Sequence, residues 1–247
     1  MNTTSLTISA RFCGPPNSGN GGYVAGRVAA FLGDSAEVTL RSPPPLDVPM
    51  QLRPADAGVE LWHGDRHIAS GKVANATAIP MTVPAFADAA AAADRSFPAA
   101  LHKVPGCFVC GPGRLQGDGL RIHVGPVDAA DREWQGMLAA TWLPPAEFAD
   151  EAGLLRPEFV WAALDCPTAY ACATAEGMPP ILLGRQTVSI TRRPKAGERC
   201  IITAQRQHRD GRKHFSSAQL TGEDGAGIAV CNAVWIEVSE AQLNANA

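Results

Sequence analysis

Asp165 is the one acidic residue in a stretch that is otherwise apolar or small from residue 159 to residue 175. Pro157 lies just before this stretch, where a helix readily begins, and a helix that is apolar on all sides is buried. An ionised carboxylate in a buried helix is costly unless it is paired or hydrogen-bonded. Pro167 also leaves the carbonyl of Ala163 without its helical donor. Asp165 is therefore a candidate catalytic residue, and the alternative is a structural carboxylate that caps a loop or pairs with an arginine.

Two adjacent glycines, Gly21 and Gly22, end a turn-rich loop near the start of the chain. Apolar side chains at helical spacing then predict a helix over 22–32, with Asn17 and Asn20 as suitable N-caps. The first N–H groups of a helix lack intrahelical acceptors, and glycine allows close approach to them. The Gly22 amide could stabilise an oxyanion, worth typically about 2.7–4 kcal/mol, while Asn17 and Asn20 could orient a water or a carbonyl. The alternative is a tight turn into a crowded helix.

Cys107 and Cys110 form a Cys-x-x-Cys pair in a segment rich in Ala, Pro and Gly. No second pair of this kind and no nearby pair of histidines completes a zinc site in the sequence, so we expect no metal. A structural turn is the favoured interpretation, and metal binding and redox chemistry are its alternatives. The sequence also contains no Gly-rich phosphate loop, no Ser-His-Asp arrangement and no HExxH motif, and we expect no cofactor.

The composition is that of a globular protein, with 247 residues, 46% hydrophobic and 18% charged. This length suffices for one large core or two of ordinary size. The net charge of −3 gives no sign of a nucleic-acid surface or a polybasic membrane patch. Seven scattered cysteines, with no apolar run at the start and none of membrane-spanning length, predict a reduced, cytoplasmic setting without a membrane span.

Each half of the chain has the same predicted order of elements: a strand or turn-rich entry, a long helix, and an antiparallel meander. Gly26 inside the first helix predicts close approach of another backbone. The predicted helices cover 22–32, 85–94 and 157–175. The predicted strands cover 5–12, 36–42, 50–57, 59–63, 67–75, 119–124, 134–143, 182–192, 200–208, 213–221 and 228–238.

Sequence similarity between the halves indicates a duplication. The segment VTLRSPP that begins at Val38 resembles VSITRRP, which begins 150 residues later at Val188. The helix that begins at Gly22 aligns with the one that contains Glu158, 136 residues later. This period is too long for a solenoid, so we predict two related domains, 1–80 and 119–240, with a connector over 81–118. Joining their sheets edge to edge would cover exposed edge strands.

Gly22 and Asp165 carry a resemblance to hotdog thioesterases of the phenylacetate-degradation type. In that family a His-Gly-Gly at the helix start is followed, seven residues after the second Gly, by an Asp and a small apolar run. Here Asn20-Gly21-Gly22 stands in the His-Gly-Gly place, and 164–172 is similar to the acid and the turn after it. The segment 183–194 is similar to that family's next strand. The resemblance therefore covers 157–238, and 17–22 in the first half.

The resemblance implies an α+β fold, a tandem or double hotdog. In this fold two long central helices are wrapped by antiparallel sheets that join into one extended sheet. The first half has the glycines but carries Ala29 where an acid would lie, and the second half has Asp165 but carries Glu158 in place of a glycine. In hotdog dimers the helix N-terminus of one unit faces the acid of the other. One composite site, made from Gly22 and Asp165, is therefore expected.

Double-hotdog acyl-CoA thioesterases show a similar division, and they also use a Thr and a Gln near the acid. This chain has Gly184 and either Asn232 or Ala233 at those places. The resemblance implies hydrolysis of a small or medium acyl thioester, in the first place an acyl-CoA, with Asp165 as base or nucleophile and the Gly22 amide as oxyanion donor. The alternative is a non-catalytic double hotdog that binds an acyl-CoA or another apolar ligand, which the missing Thr and Gln favour. A hydratase is less well supported, because no histidine accompanies the acid.

The expected substrate-binding residues are Gly21, Arg185, Arg192, Arg193 and Asn232. Arg192 and Arg193 could meet a CoA phosphate, and a solvated strand end is the alternative for both. The expected partner is an acyl-CoA or another acyl thioester. The resemblance also implies association into a homodimer or a higher homo-oligomer.

Overall fold

The computed structural model describes residues 3–245, which form one antiparallel sheet of eleven strands and four α-helices. The strands are β1 (Thr4–Thr7), β2 (Ser35–Leu40), β3 (Pro49–Ala55), β4 (Gly58–His63), β5 (Arg66–Val73), β6 (Gly125–Pro126), β7 (Leu138–Trp142), β8 (Ile181–Ile190), β9 (Cys200–Asp210), β10 (Lys213–Gly222) and β11 (Gly227–Glu237). The helices are α1 (Gly21–Ala29), α2 (Phe86–Ala93), α3 (Pro157–Tyr170) and α4 (Glu240–Ala245).

The strand order in the sheet is β1-β3-β4-β5-β2-β8-β11-β10-β9-β7-β6. The first five strands in this order precede the connector in the chain, and the last six follow α2. β2 and β8 join the two groups as an antiparallel pair, with Ser35 opposite Ser189 and Thr39 opposite Arg185. This pairing covers an edge of each group, as the sequence predicts.

Helices α1 and α3 pack against each other in opposite directions, at a distance that only glycine permits. A Cβ on Gly22 would lie 2.4 Å from the Asp165 Cβ, and a Cβ on Gly26 would lie 2.6 Å from the Glu158 Cα. Real Cβ atoms essentially never come within 3.0 Å of such neighbours. The prediction that another backbone approaches Gly26 closely is confirmed. The same contact brings the N-terminus of α1 to the middle of α3.

α3 is buried on all sides, as its apolar composition predicts: every residue from Phe159 to Tyr170 is buried. Aromatic rings pack the connector against α3. The Phe108 ring lies 5.0 Å from Phe12 and 6.1 Å from Phe159, while Phe148 stacks on Phe159 at 4.2 Å. No helix within residues 3–245 is long and apolar enough to cross a membrane.

Some predicted elements differ from those in the structure. The predicted strand over 119–124 is absent, because Arg121 has φ 52°, a left-handed conformation that interrupts an extended run. The predicted strand over 5–12 ends at Thr7, and Ser9 caps a 3₁₀ turn by accepting from the Arg11 N–H. α3 ends at Tyr170 rather than residue 175, because tight turns follow it. α4 is not predicted from the sequence.

Candidate active site

The Asp165 carboxylate lies where α1 and α3 meet, and it is only 1% exposed. Its Oδ2 accepts a hydrogen bond of 2.7 Å from the Asn20 side-chain amide and one of 3.1 Å from the Gly22 backbone N–H. The structure thus brings together three residues that the sequence singles out, two from the first half of the chain and one from the second.

Asn20 holds this arrangement because it is also the N-cap of α1. Its Oδ1 accepts from the Tyr23 N–H at 2.9 Å, and its own N–H donates to the Phe12 carbonyl at 2.8 Å. With Oδ1 committed to the helix, the side-chain NH₂ must point at Asp165. The cap therefore fixes both the start of α1 and the direction of the amide donor.

The second oxygen of Asp165 has a different environment. Oδ1 is buried and has no hydrogen-bond partner within the described part of the chain. Burial raises the pKa of Asp165 to about 7, and the hydrogen bonds from Gly22 and Asn20 counteract part of that rise. Buried polar atoms without partners are uncommon in folded proteins. Oδ1 is therefore the oxygen of Asp165 that has bonding capacity left for a water or a ligand.

Helix α3 also fixes the backbone at Asp165. The Thr168 hydroxyl donates to the Asp165 carbonyl at 2.6 Å and accepts from the Trp235 indole N–H at 2.9 Å. Trp235 lies on β11, so the sheet supports the acid through Thr168. Pro167 lies between Asp165 and Thr168, and α3 accommodates it without ending.

A cavity of about 280 Å³ opens beside Asp165. Residues of the loop before α1, the end of β2, the connector, α3 and the strand pair β8–β11 line it, so both halves of the chain contribute. This volume is near the lower end for small-molecule sites. The apolar side chains in its wall include those of Leu40, Pro43, Pro44, Val104, Met178, Ile181, Leu182, Leu183, Trp235, Ile236, Val238 and Leu243.

The structure does not bring all the predicted site residues to this cavity. Gly21 lines it, and Asn17 is exposed and lies outside its wall. Asn232 is also outside the wall, because its amide bonds to the Thr77 backbone and the Ser217 hydroxyl.

The three predicted arginines also lie elsewhere. Arg185 faces Glu37 at 3.8 Å, because the pairing with β11 shifts register between Arg185 and Leu183 and turns the two side chains to opposite faces. Arg192 pairs with Glu198 at 2.6 Å and Arg193 with Asp150 at 2.7 Å, both beyond the far end of β8. None of the three is among the described residues that line the cavity. Their part in substrate binding stays a prediction.

The cavity wall contains chemistry that the sequence analysis does not assign. Cys107, Cys110 and Cys166 lie together in it, and Arg41 and Lys103 are its basic residues apart from histidine. Lys103 is paired with Glu240 at 2.7 Å. In the sequence, the feature that could have pointed to Cys166 as a site residue is its position next to Asp165 on a buried helix. No pattern in the sequence points to Arg41 or Lys103.

No protein-family model matches the chain, and no curated protein sequence matches it. Several solved structures match the chain. The tesB protein of Mycobacterium avium subspecies paratuberculosis is 11% identical, with 96% of this chain and 93% of that chain covered at a TM-score of 0.62. A conserved protein with a hotdog fold from Alicyclobacillus acidocaldarius is 12% identical, with 96% and 93% covered at a TM-score of 0.63. A proposed thioesterase II from Thermobifida fusca is 15% identical, with 97% and 93% covered at 0.58.

The chain has the hotdog fold. In this hotdog protein the N–H of Gly22 lies 3.1 Å from Asp165 Oδ2, so the two groups bond to each other and leave no space for a carbonyl between them. The Gly22 N–H positions the carboxylate, and its predicted part as an oxyanion donor stays a prediction. Oδ1 is the oxygen left without a partner within residues 3–245.

Proposed function

We propose that this protein hydrolyses a small or medium acyl thioester, in the first place an acyl-CoA, at one composite site. The observation that carries the proposal is the environment of the Asp165 carboxylate, a residue that lines an apolar cavity. Its Oδ2 accepts two hydrogen bonds from the first half of the chain, and its Oδ1 is buried without a partner among the described residues. The hotdog neighbours that are described as thioesterases support the reaction class.

We infer a tandem hotdog as the framework, with related halves at 1–80 and 119–240 and a connector over 81–118. The two packed helices and the continuous sheet support this division. The helix N-terminus then comes from one half and the acid from the other. A chain of this kind needs no second copy to complete the site.

In the proposed reaction Oδ1 of Asp165 accepts a proton from a water as that water attacks the thioester carbonyl. The carbon–sulfur bond breaks, the thiolate leaves with the electron pair, and the proton on Asp165 passes to the thiolate. Gly21, at the first position of α1 and in the cavity wall, places the positive end of the helix near the carbonyl. A direct attack by Asp165 would instead form a mixed anhydride, which water then cleaves.

The cavity supports the choice of substrate. A volume of about 280 Å³ with an apolar wall suits a short or medium acyl group and excludes most of a CoA molecule. Arg41 lies at this wall and has no acidic partner within residues 3–245. Arg41 is therefore the residue that we assign to binding a phosphate or carbonyl of the CoA group outside the cavity.

The test measures free-thiol release from a panel of acyl-CoAs of increasing length, with the wild type and Asp165→Asn compared. Asparagine has nearly the same shape and cannot act as a base, so we expect a fall in kcat/KM of about 10²–10⁴-fold. Circular dichroism and a denaturation curve check that the variant is folded. Equal trace rates for the two proteins, with both still binding acyl-CoA, would contradict the proposal.

Equal rates would support the alternative, a hotdog protein that binds an acyl-CoA or another apolar ligand without catalysis. One observation favours this alternative: within the described residues no polar group bonds to Oδ1, so none is in place there to orient a water. Isothermal titration with a non-hydrolysable acyl-CoA thioether measures binding directly and separates the two functions.

A further inference from the structure

Three cysteines from two distant segments of the chain meet beside the cavity. The Sγ atoms of Cys107, Cys110 and Cys166 all lie within 4.8 Å of one another, and all three residues are buried. Cys107 Sγ and Cys166 Sγ are 3.7 Å apart. In a tetrahedral zinc site with Zn–S bonds of about 2.3 Å, two sulfurs are about 3.8 Å apart. The Cys107 and Cys166 sulfurs are therefore already at the spacing that a zinc ion requires, and the Cys110 sulfur lies within 4.8 Å of both.

The Cys-x-x-Cys loop is shaped to direct both of its sulfurs to one point. Gly111 closes the loop by donating to the Cys107 carbonyl at 2.8 Å, and a Cβ there would lie 2.5 Å from that oxygen. Only glycine fits after the second cysteine, so this tight turn keeps the two cysteines close together.

The residues next to the sulfurs act as hydrogen-bond donors. The Asn20 amide lies 3.8 Å from the Cys107 sulfur, and His102 Nε2 lies 3.3 Å from the Cys110 sulfur. His102 Nδ1 accepts from the Val104 N–H at 3.1 Å, which places the ring proton of a neutral histidine on Nε2. His102 therefore donates to a sulfur rather than offering a lone pair. Donors of this kind around ligating atoms are typical of metal sites.

We propose that Cys107, Cys110 and Cys166 bind one Zn²⁺ as three thiolates, with the fourth position open to the cavity. Binding exchanges the thiol protons for the metal, and the ion's charge compensates three thiolates that would otherwise repel one another. A water or a small ligand from the cavity completes the tetrahedron, as in zinc sites that keep one position open. The sequence predicts no metal because it shows a single Cys-x-x-Cys pair, and α3 supplies the third sulfur.

The proposed zinc site does not depend on the proposed hydrolysis. A buried disulfide between Cys107 and Cys110 is the competing use of the same atoms. It would remove two of the three ligands and would need an oxidant. Metal content and thiol state distinguish the two, and neither measurement depends on an acyl-CoA.

The experiment uses the full chain, purified in reductant without chelators and with an affinity tag that contains no histidine. We expect one zinc per chain by elemental mass spectrometry. After removal of zinc by a chelator, titration with Co²⁺ should saturate at one equivalent. It should show a thiolate-to-cobalt charge-transfer band and the strong visible bands of a tetrahedral ion.

Variants locate the site. Cys107→Ser, Cys110→Ser and Cys166→Ser should each weaken zinc affinity by more than the roughly 10–100-fold that loss of an outer partner costs. Cys172→Ser and Cys231→Ser are matched controls, because these cysteines are also buried but lie outside the cluster, and they should retain the metal.

Three results would overturn the proposal: a folded, reduced wild type that takes up neither Zn²⁺ nor Co²⁺, a Cys107–Cys110 disulfide in the protein as isolated, or equal metal loss in the control variants. If the ligand variants do not fold, the cobalt titration of the wild type decides alone, since its charge-transfer intensity counts the thiolates.

Discussion

Gly22→Ala tests the contact between the helices and the position of the acid together. The new Cβ would lie 2.4 Å from the Asp165 Cβ and 2.9 Å from the Trp161 carbonyl oxygen. Relief requires α1 to move away from α3, which lengthens the Gly22–Asp165 hydrogen bond of 3.1 Å. Because both neighbours are in a buried helix, neither can turn aside as a flexible side chain would.

The magnitude follows from three contributions. Overpacking in a close-packed core costs about 1–3 kcal/mol, and loss of a hydrogen bond to a charged group costs about 1.5–3 kcal/mol. Alanine recovers at most about 1 kcal/mol through its higher helix propensity. We expect a net loss of about 1.5–5 kcal/mol in the free energy of unfolding, and a fall in Tm of roughly 3–20 °C.

The assay combines urea denaturation with acyl-CoA hydrolysis, and Gly26→Ala is the matched control. A Cβ on Gly26 would lie 2.6 Å from the Glu158 Cα, so the steric cost is similar, but it does not contact Asp165. Gly22→Ala should lose about 10²-fold in kcat, the typical effect of a misplacement of about 1 Å. Gly26→Ala should retain more of the activity per folded molecule. A Gly22→Ala protein that is stabilised by its higher helix propensity would refute the packing described above.

Three further predictions concern the site. Asn20→Ser keeps an N-cap oxygen but removes the amide donor to Asp165, so stability should fall by about 1.5–3 kcal/mol and kcat/KM should fall as well; Asn20→Ala should lose about 1 kcal/mol more in urea denaturation. Met178→Ala removes a side chain from the cavity wall and should move the preferred acyl chain to greater length in the thiol-release panel; an unchanged preference would place the acyl group elsewhere. Arg41→Ala should raise the KM for acyl-CoA severalfold and Arg192→Ala should not, since Arg192 is paired with Glu198; the reverse result would favour the arginines predicted from the sequence.

The sequence predicts the fold well where the structure depends on local patterns. Alternation of apolar residues locates the strands, and the two helices that carry the site begin within a residue of their predicted starts. The sequence also predicts the close approach at Gly26, because glycine inside a helix is unfavourable unless close packing requires it. These features depend on neighbours a few residues away.

The features that the sequence does not reveal depend on single backbone choices or on distant contacts. A register shift between β8 and β11 turns Arg185 away from the cavity, and the positive φ of Arg121 interrupts the predicted strand. Cys107 and Cys166 meet although 59 residues separate them. Spacing rules for metal ligands apply to short loops, and they cannot show that a helix supplies the third sulfur.

The proposed duplication predicts a second position related to the site, and the residues at that position bear on the proposal of a single composite site. There the N-terminus of α3 would face the second half of α1, but Ala29 offers no carboxylate, and Glu158 takes the place of a glycine. Aromatic rings pack at the N-terminus of α3: Phe159 in its first turn stacks on Phe148 at 4.2 Å and packs against Phe12 at 5.8 Å. Phe108 of the connector joins this cluster at 6.1 Å from Phe159. The connector also carries Cys107 and Cys110 to the cavity beside Asp165, so one segment packs the start of α3 and lines the cavity.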